Sequence, residues 1–314
     1  MFKKSSMWHS AVLFMLASFV TMPCITYAAN RAAILIGACS GKGNWRSANA
    51  IIGPLQTHRL FYSGSLPLTF EADDTPTTVT IIASYKTATT NVKNYVKSVP
   101  ANRQVILAYH HEPEGDYSSG AVFVSEFKTQ SDLIRSCANS NVRIAMISAS
   151  YPYGVSGNTD VQDGNYLKDL GNYVDLFGVD IYQGVAGTEP YCWPTQGLRN
   201  YPRWNNWLNV VTDPAIVGTI KPLGITEYGV DDPVGDERRN QRIQLDRDYL
   251  IEAFTPGSAK AISPYRLQVW SYWWRSVDQN AAKFTDAPTI ATWRGIENAA
   301  YIAPRSSVTH FLPY

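Results

Sequence analysis

Cysteine is scarce, with four residues in a chain of 314. One of them, Cys24, falls in the N-terminal segment described below, leaving Cys39, Cys137 and Cys192. Three thiols cannot all pair, and their spacing is not that of a zinc site, so neither a disulfide framework nor a zinc module organises this fold. Which of the three pair is not written in their spacing. Histidine is also scarce. There are five, none in a His-x-x-x-His pair, and a metal centre needs three or four convergent ligands; no metal is expected. Gly37, Gly41 and Gly43 lack the G-x-G-x-x-G spacing of a dinucleotide-binding turn, so no cofactor of that kind is implied. Charge of one sign is missing too: 27 basic side chains face 26 acidic ones. A nearly neutral chain has no electrostatic reason to bind nucleic acid or an anionic membrane. No internal repeat, low-complexity tract or linker is present, and no feature demands more than a monomer.

Long apolar runs are absent except for one, Ala11 to Val20, AVLFMLASFV. It is about ten residues long, too short for a bilayer span of roughly 20. Lys3 and Lys4 precede it and the small residues Ala28 and Ala29 follow. Basic, then apolar, then small is the layout of a secretory signal. Residues 1–28 are therefore expected to be a removable leader, with the protein secreted and no membrane contact afterwards. Residues 30–314 are expected to form one domain.

Within that domain, short β-rich runs alternate with helical stretches, the pattern of a parallel sheet with crossover helices. The runs are 32–38, 58–63, 79–85, 104–110, 142–148, 174–182, 221–228 and 267–274. Eight is the count of a (β/α)8 TIM barrel, and the length fits its typical 250 or so residues. A doubly wound open sheet is the alternative. Helices are expected at 91–99, 125–138, 203–211 and 236–254, and a long loop at 183–202.

The fourth run ends in YHHEPEGDY and the seventh in GITEYGV, which puts Glu112 and Glu227 at the C-terminal tips of two strands. Barrel enzymes place their chemistry at that face. Two carboxyl groups are what glycosidic bond cleavage needs, one protonated to assist the leaving oxygen and one ionised to attack carbon or activate water. Nearby negative charges push two such pKa values apart. Glu114 and Asp116 are rival acids, placed lower because they lie past Pro113 in the loop. Period-two alternation would set His110, not His111, on the Glu112 face, unless the strand distorts near its tip. Trp270 reads as core. Trp204 and Trp207 read equally well as loop packing or as sugar platforms. Asp180 and Asp231 are candidate polar supports, and Arg238 and Arg239 read as a solvated helix start.

Eight strands with a glutamate after strand four and another after strand seven resemble clan A glycoside hydrolases, which are retaining enzymes. The His111-Glu112 pair is similar to glycoside hydrolase family 26 (GH26), the β-mannanase family, which also includes enzymes acting on β-1,3-xylan and mixed-linkage β-glucan. The resemblance implies Glu112 as general acid/base and Glu227 as nucleophile. It further implies that His111 bonds the sugar or orients a carboxylate, and that Tyr182 hydrogen-bonds the nucleophile. Tyr117 matches an aromatic position after the acid/base. Trp273 or Trp274 would form the floor beneath the sugar, with Trp193 a further cleft aromatic. The loop PEGDYSSG is poorer in tryptophan than that family's, and the third run ends at Tyr85-Lys86 without a histidine. The expected partner is a β-linked polysaccharide or oligosaccharide, with β-mannan first. Related β-glucanase or β-1,3-xylanase action, or a carbohydrate-binding barrel without activity, are the alternatives.

Overall fold

The structure, a computed structural model, describes residues 34–154, 157–183, 197–230, 236–254, 262, 267–273 and 287–297. Residues 1–28, expected as a leader, together with Cys192, Trp193, Asp231 and Trp274, lie outside them, and for Arg238 and Trp273 only the backbone is described.

Eight parallel strands close into a barrel in sequence order. They are β1 (Leu35–Cys39), β2 (Thr57–Tyr62), β3 (Thr80–Tyr85), β4 (Val105–Tyr109), β5 (Val142–Ala149), β6 (Leu176–Gln183), β7 (Leu223–Val230) and β8 (Leu267–Trp273). Each falls on one of the eight expected runs. The ring closes through β1 and β8, with Cys39 opposite Trp273 at the C-terminal rim. The described helices are α1 (Trp45–Ile52), α2 (Val92–Ser98), α3 (Gly120–Arg135), α4 (Thr159–Gln162), α5 (Pro202–Val211), α6 (Pro214–Val217), α7 (Asp236–Phe254) and α8 (Ala287–Glu297). This is a (β/α)8 barrel, not an open sheet.

The strands are largely buried on both faces, so most read as apolar runs, with the buried polar residues of β2 and β7 as exceptions. Alternate residues nevertheless go to different cores. Ile82, Ile106, Ala108, Ala145, Ile147, Leu176 and Val269 form one cluster. They come from strands on opposite sides of the ring, which can touch only through its interior. Ile81, Ala83, Val105, Leu107, Ile144, Met146, Phe177 and Val179 join the helices in the larger outer core. Gly37 is required on the inner wall of β1: a Cβ there would stand 1.6 Å from Thr57 Oγ1, where Thr57 and Ser271 hydrogen-bond across 3.0 Å.

Trp204, Trp207 and Trp270 are fully enclosed in this outer core. Trp204 and Trp207 pack against each other on α5. Trp270 meets Tyr228 of β7 and Trp293 of α8 edge-on. All three hold elements together, so the platform reading of Trp204 and Trp207 gives way to packing. Helix α3 begins five residues before the expected start, because Ser119 caps it by accepting a bond from the Val122 N–H.

Candidate active site

At the tip of β4 the chain leaves the sheet through two left-handed residues, His110 at φ 44° and Glu112 at φ 55°. Neither is glycine, and each such residue costs about 1–3 kcal/mol that the surroundings must supply. The surroundings are visible. His110 N–H donates to Tyr85 O of β3 (2.6 Å), and Glu112 N–H donates to Ile147 O of β5 (2.8 Å). This twist is why strand alternation does not govern the face on which His110, His111 and Glu112 lie.

Within β7 the register with β6 slips. Val179 pairs with Ile225 but Asp180 pairs with Glu227, leaving Thr226 as an extra residue. Such a bulge re-aims side chains. Here Thr226 Oγ1 donates to Asp180 Oδ1 (2.7 Å) while the next residue, Glu227, also turns to the interior. Its Oε1 lies 2.9 Å from Arg59 Nη1, and its Oε2 accepts a bond from the Tyr182 hydroxyl.

Arg59 of β2 is the centre of this arrangement, and it was not among the residues singled out from the sequence. It is wholly buried and ion-paired with Asp180 at 2.6 Å as well as with Glu227. Its Nε donates to Ser84 Oγ (3.1 Å), and its guanidinium lies over the Phe61 ring, 4.7 Å from the centroid. The sequence signal was a lone cation inside an apolar strand, since a buried arginine without a partner is prohibitively costly.

The electrostatics follow from one cation amid several acids. Burial, then the charge of Asp180, pushes Glu112 up to about 7, against the pull of Arg59 and Lys86. Burial and Asp180 also push Glu227 upward, opposed by Arg59 and the Tyr182 hydroxyl, while Glu112 adds a further upward push. Glu112 and Glu227 therefore feel one electrostatic site. Glu227 has an ion pair on one oxygen and a donor on the other, a setting that favours its anion. Asp180 takes both of its bonds on Oδ1, leaving Oδ2 enclosed and unpartnered among the described residues. Glu112 is half-buried with an open side, whereas Glu114 is 92% enclosed. Only Glu112 of the two can meet a solute.

The remaining candidates divide. His111 packs edge-on against Phe61, and burial together with Arg59 lowers its pKa to about 2, so its ring is neutral. Tyr182 keeps 38% of its surface exposed while its hydroxyl reaches Glu227. The hydrogen bonds of Tyr117 run to neither Glu112 nor Glu227. The Tyr117 hydroxyl bonds Tyr109 (2.9 Å) and Glu126 (3.0 Å), and its ring packs on Phe123 of α3. Beside it, Asp116 accepts from Lys86 (2.6 Å) and contacts His110 (2.9 Å), so both rivals of Glu112 have structural partners. Trp273 ends β8 opposite Cys39. Cys39 and Cys137 are free thiols, and Cys39 Sγ donates to Thr226 O (3.0 Å) beneath the site.

Among the described residues, only His58, Asp73 and Asp74 gather as a metal site would require. His58 already bonds Thr75 and Ser40 through its two ring nitrogens. The aspartates accept from the backbone of Gly43 and Arg46. The group reads as a loop clasp. No described helix is long and apolar enough to cross a membrane.

No family model matches this chain, and no curated protein sequence does. Solved structures do. A GH26 endo-β-1,4-mannanase catalytic domain from Bacillus sp. JAMB-750 is 13% identical, with a TM-score of 0.55 over 87% of this chain and 88% of that one. A GH26 β-mannanase from Bacteroides ovatus is 13% identical, with a TM-score of 0.53 over 90% and 94%. A GH128 endo-β-1,3-glucanase from Sorangium cellulosum is 14% identical, with a TM-score of 0.50 over 83% and 97%. At such identities the likeness is one of fold, and the fold shared is the (β/α)8 barrel.

Proposed function

We propose that this chain is a secreted retaining endo-β-glycosidase with Glu112 as general acid/base and Glu227 as nucleophile. The observation that carries the reading is the unequal treatment of the two glutamates. Burial raises both carboxyls, but Glu227 is held by Arg59 and Tyr182, one on each oxygen, contacts that favour its anion, while Glu112, raised to about 7, can keep its proton near neutrality. In the first step a Glu227 oxygen forms a bond to the anomeric carbon. The glycosidic C–O bond breaks, and the departing oxygen takes the Glu112 proton. In the second, Glu112 as carboxylate removes a proton from water. The water oxygen bonds the anomeric carbon and the Glu227 ester bond breaks. Retention implies carboxyl groups about 5–5.5 Å apart.

His111, with its neutral ring, and Tyr182, with its exposed face, are the described side chains proposed to meet the sugar. Trp193, Trp273 and Trp274 are proposed as its aromatic contacts. β-Mannan is the first substrate choice, supported by the His-Glu pair and by the fold likeness to two β-mannanases. The likeness to a β-1,3-glucanase supports β-glucan as the second. The test is reducing-sugar release from β-mannan, mixed-linkage β-glucan, β-1,3-glucan and β-1,3-xylan by wild type and Glu227→Ala. Release from one polymer, lost by orders of magnitude in the variant, is the expected result. No release from any of the four would overturn the hydrolase reading in favour of a binding barrel.

A further inference from the structure

Glu114 belongs to the same turn as Glu112, and the two steps above do not use it. Its carboxyl is enclosed in the short 3-10 turn Pro113–Gly115. Oε2 accepts a hydrogen bond from the Ala149 N–H at the tip of β5 (3.1 Å); the Ser148 hydroxyl and the Glu114 N–H also face the carboxyl, but neither reaches Oε1 within hydrogen-bond geometry.

The position of that bond is informative. Pairing between β4 and β5 ends at Ala108 and Ala145, because the chain then turns through the left-handed residues His110 and Glu112. Past that point β5 still offers Ile147 O and Ala149 N–H. Glu112 N–H takes the first. In a regular parallel ladder a β4 backbone carbonyl would take the second; here the Glu114 side chain does. The Ala149 N–H is partly buried, and a shielded donor left without an acceptor is destabilising. The two bonds bracket Glu112 and tie its strained turn to the barrel.

We propose that Glu114 is a positioning residue, whose carboxyl stands in for the missing backbone acceptor at Ala149 and thereby aims Glu112 at the glycosidic oxygen. Burial raises Glu114 to about 8, so at neutral pH it is a neutral acid and places no second charge beside Glu112. A glutamine has the same shape, acceptor and neutrality. The inference rests on the reading of Glu112 as acid/base.

The test measures kcat and KM for disaccharide β-glycosides of the active sugar series carrying phenyl or 2,4-dinitrophenyl leaving groups. The variants are Glu114→Gln, Glu114→Ala, Glu114→Met and Glu112→Gln, with thermal melting checked for each. A phenoxide needs a proton to leave and a dinitrophenoxide does not, and kcat/KM reports the first step. Glu114→Ala and the volume-filling Glu114→Met are expected to lose roughly tenfold to a hundredfold in kcat/KM on the phenyl substrate, mainly through kcat. They should stay within about threefold of wild type on the dinitrophenyl one, with Glu114→Gln near wild type on both. Equal losses on the two substrates would mean a merely structural role and overturn the proposal, as would wild-type behaviour of Ala and Met, or a Gln variant as impaired as they are. Glu112→Gln separates the two levels. If it shows the leaving-group dependence and the Glu114 variants do not, positioning alone fails. If it hydrolyses the phenyl substrate normally, the acid/base reading fails and the positioning claim fails with it.

Discussion

Arg59 Nη1 stands 2.9 Å from Glu227 Oε1, across a barrel interior from which both side chains are almost wholly shielded from solvent. The same nitrogen is 2.6 Å from Asp180 Oδ1. One guanidinium thus compensates two buried carboxyls, and removing it would leave them to repel each other in a low-dielectric space. Arg59→Met is expected to cost about 3–5 kcal/mol of stability, the range for breaking a buried pair, measured by urea denaturation. Catalysis should fall more than binding. Without Arg59 the Glu227 pKa climbs further, and a nucleophile must be ionised. The acidic limb of the kcat/KM profile therefore moves to higher pH. An unchanged limb in a folded variant would show that Arg59 does not govern the charge of Glu227.

Tyr182→Phe isolates the other contact of Glu227. The ring remains, and the backbone carbonyl at Tyr182 keeps its bond from the Tyr201 hydroxyl (2.9 Å), so the melting temperature should move little. What is lost is one donor to a charged acceptor, worth about 1.5–3 kcal/mol. Expressed on the transition state, that is on the order of tenfold to a hundredfold in kcat/KM. Equal kinetics for Phe and Tyr would remove Tyr182 from the site.

The alkaline limb of the same profile belongs to Glu112. As general acid it must carry its proton, and its pKa lies at about 7 because burial and Asp180 disfavour its anion. Activity on substrates with poor leaving groups is expected to fall as pH rises through 7, where an ordinary glutamate would already have lost its proton near pH 4. Glu112→Gln should abolish that limb together with most of the activity. A profile flat to pH 9 would place the acid elsewhere.

Most strands were legible because burial on both faces leaves a continuous apolar run, as in Ile81–Ala83 or Val105–Tyr109. Helix α7 was legible at both ends because its length makes the pattern long. Helices α1 and α8 were not expected. The first has no side-chain cap, and the second is anchored by Trp293 against Tyr228 and Trp270, a contact only the closed barrel creates. Glu112 and Glu227 were legible as carboxylates near the C-terminal ends of two strands, although β7 runs on to Val230 and Glu227 reaches the interior from within it through the bulge at Thr226. Arg59 was not, since its partners lie on β6 and β7, far along the chain, and no local pattern announces them. The face taken by His111 was also hidden, because two left-handed residues override the strand period.

Glu114 carries a separate consequence for stability. Its carboxyl is held at about 8 by burial, while in the unfolded chain it titrates near 4.3. The folded state binds the extra proton between those values, so its contribution is present in full below about pH 4 and is lost as the pH rises through 8. Glu114→Gln cannot titrate and keeps the same acceptor for the Ala149 N–H. The variant is therefore expected to melt close to wild type at pH 4 and progressively above it from pH 5 to 8, with the gap levelling off beyond pH 9. Melting curves across that range measure it directly. A gap independent of pH would mean that Glu114 is ionised in the folded protein, and that Ala149 is bonded to a buried carboxylate rather than to an acid.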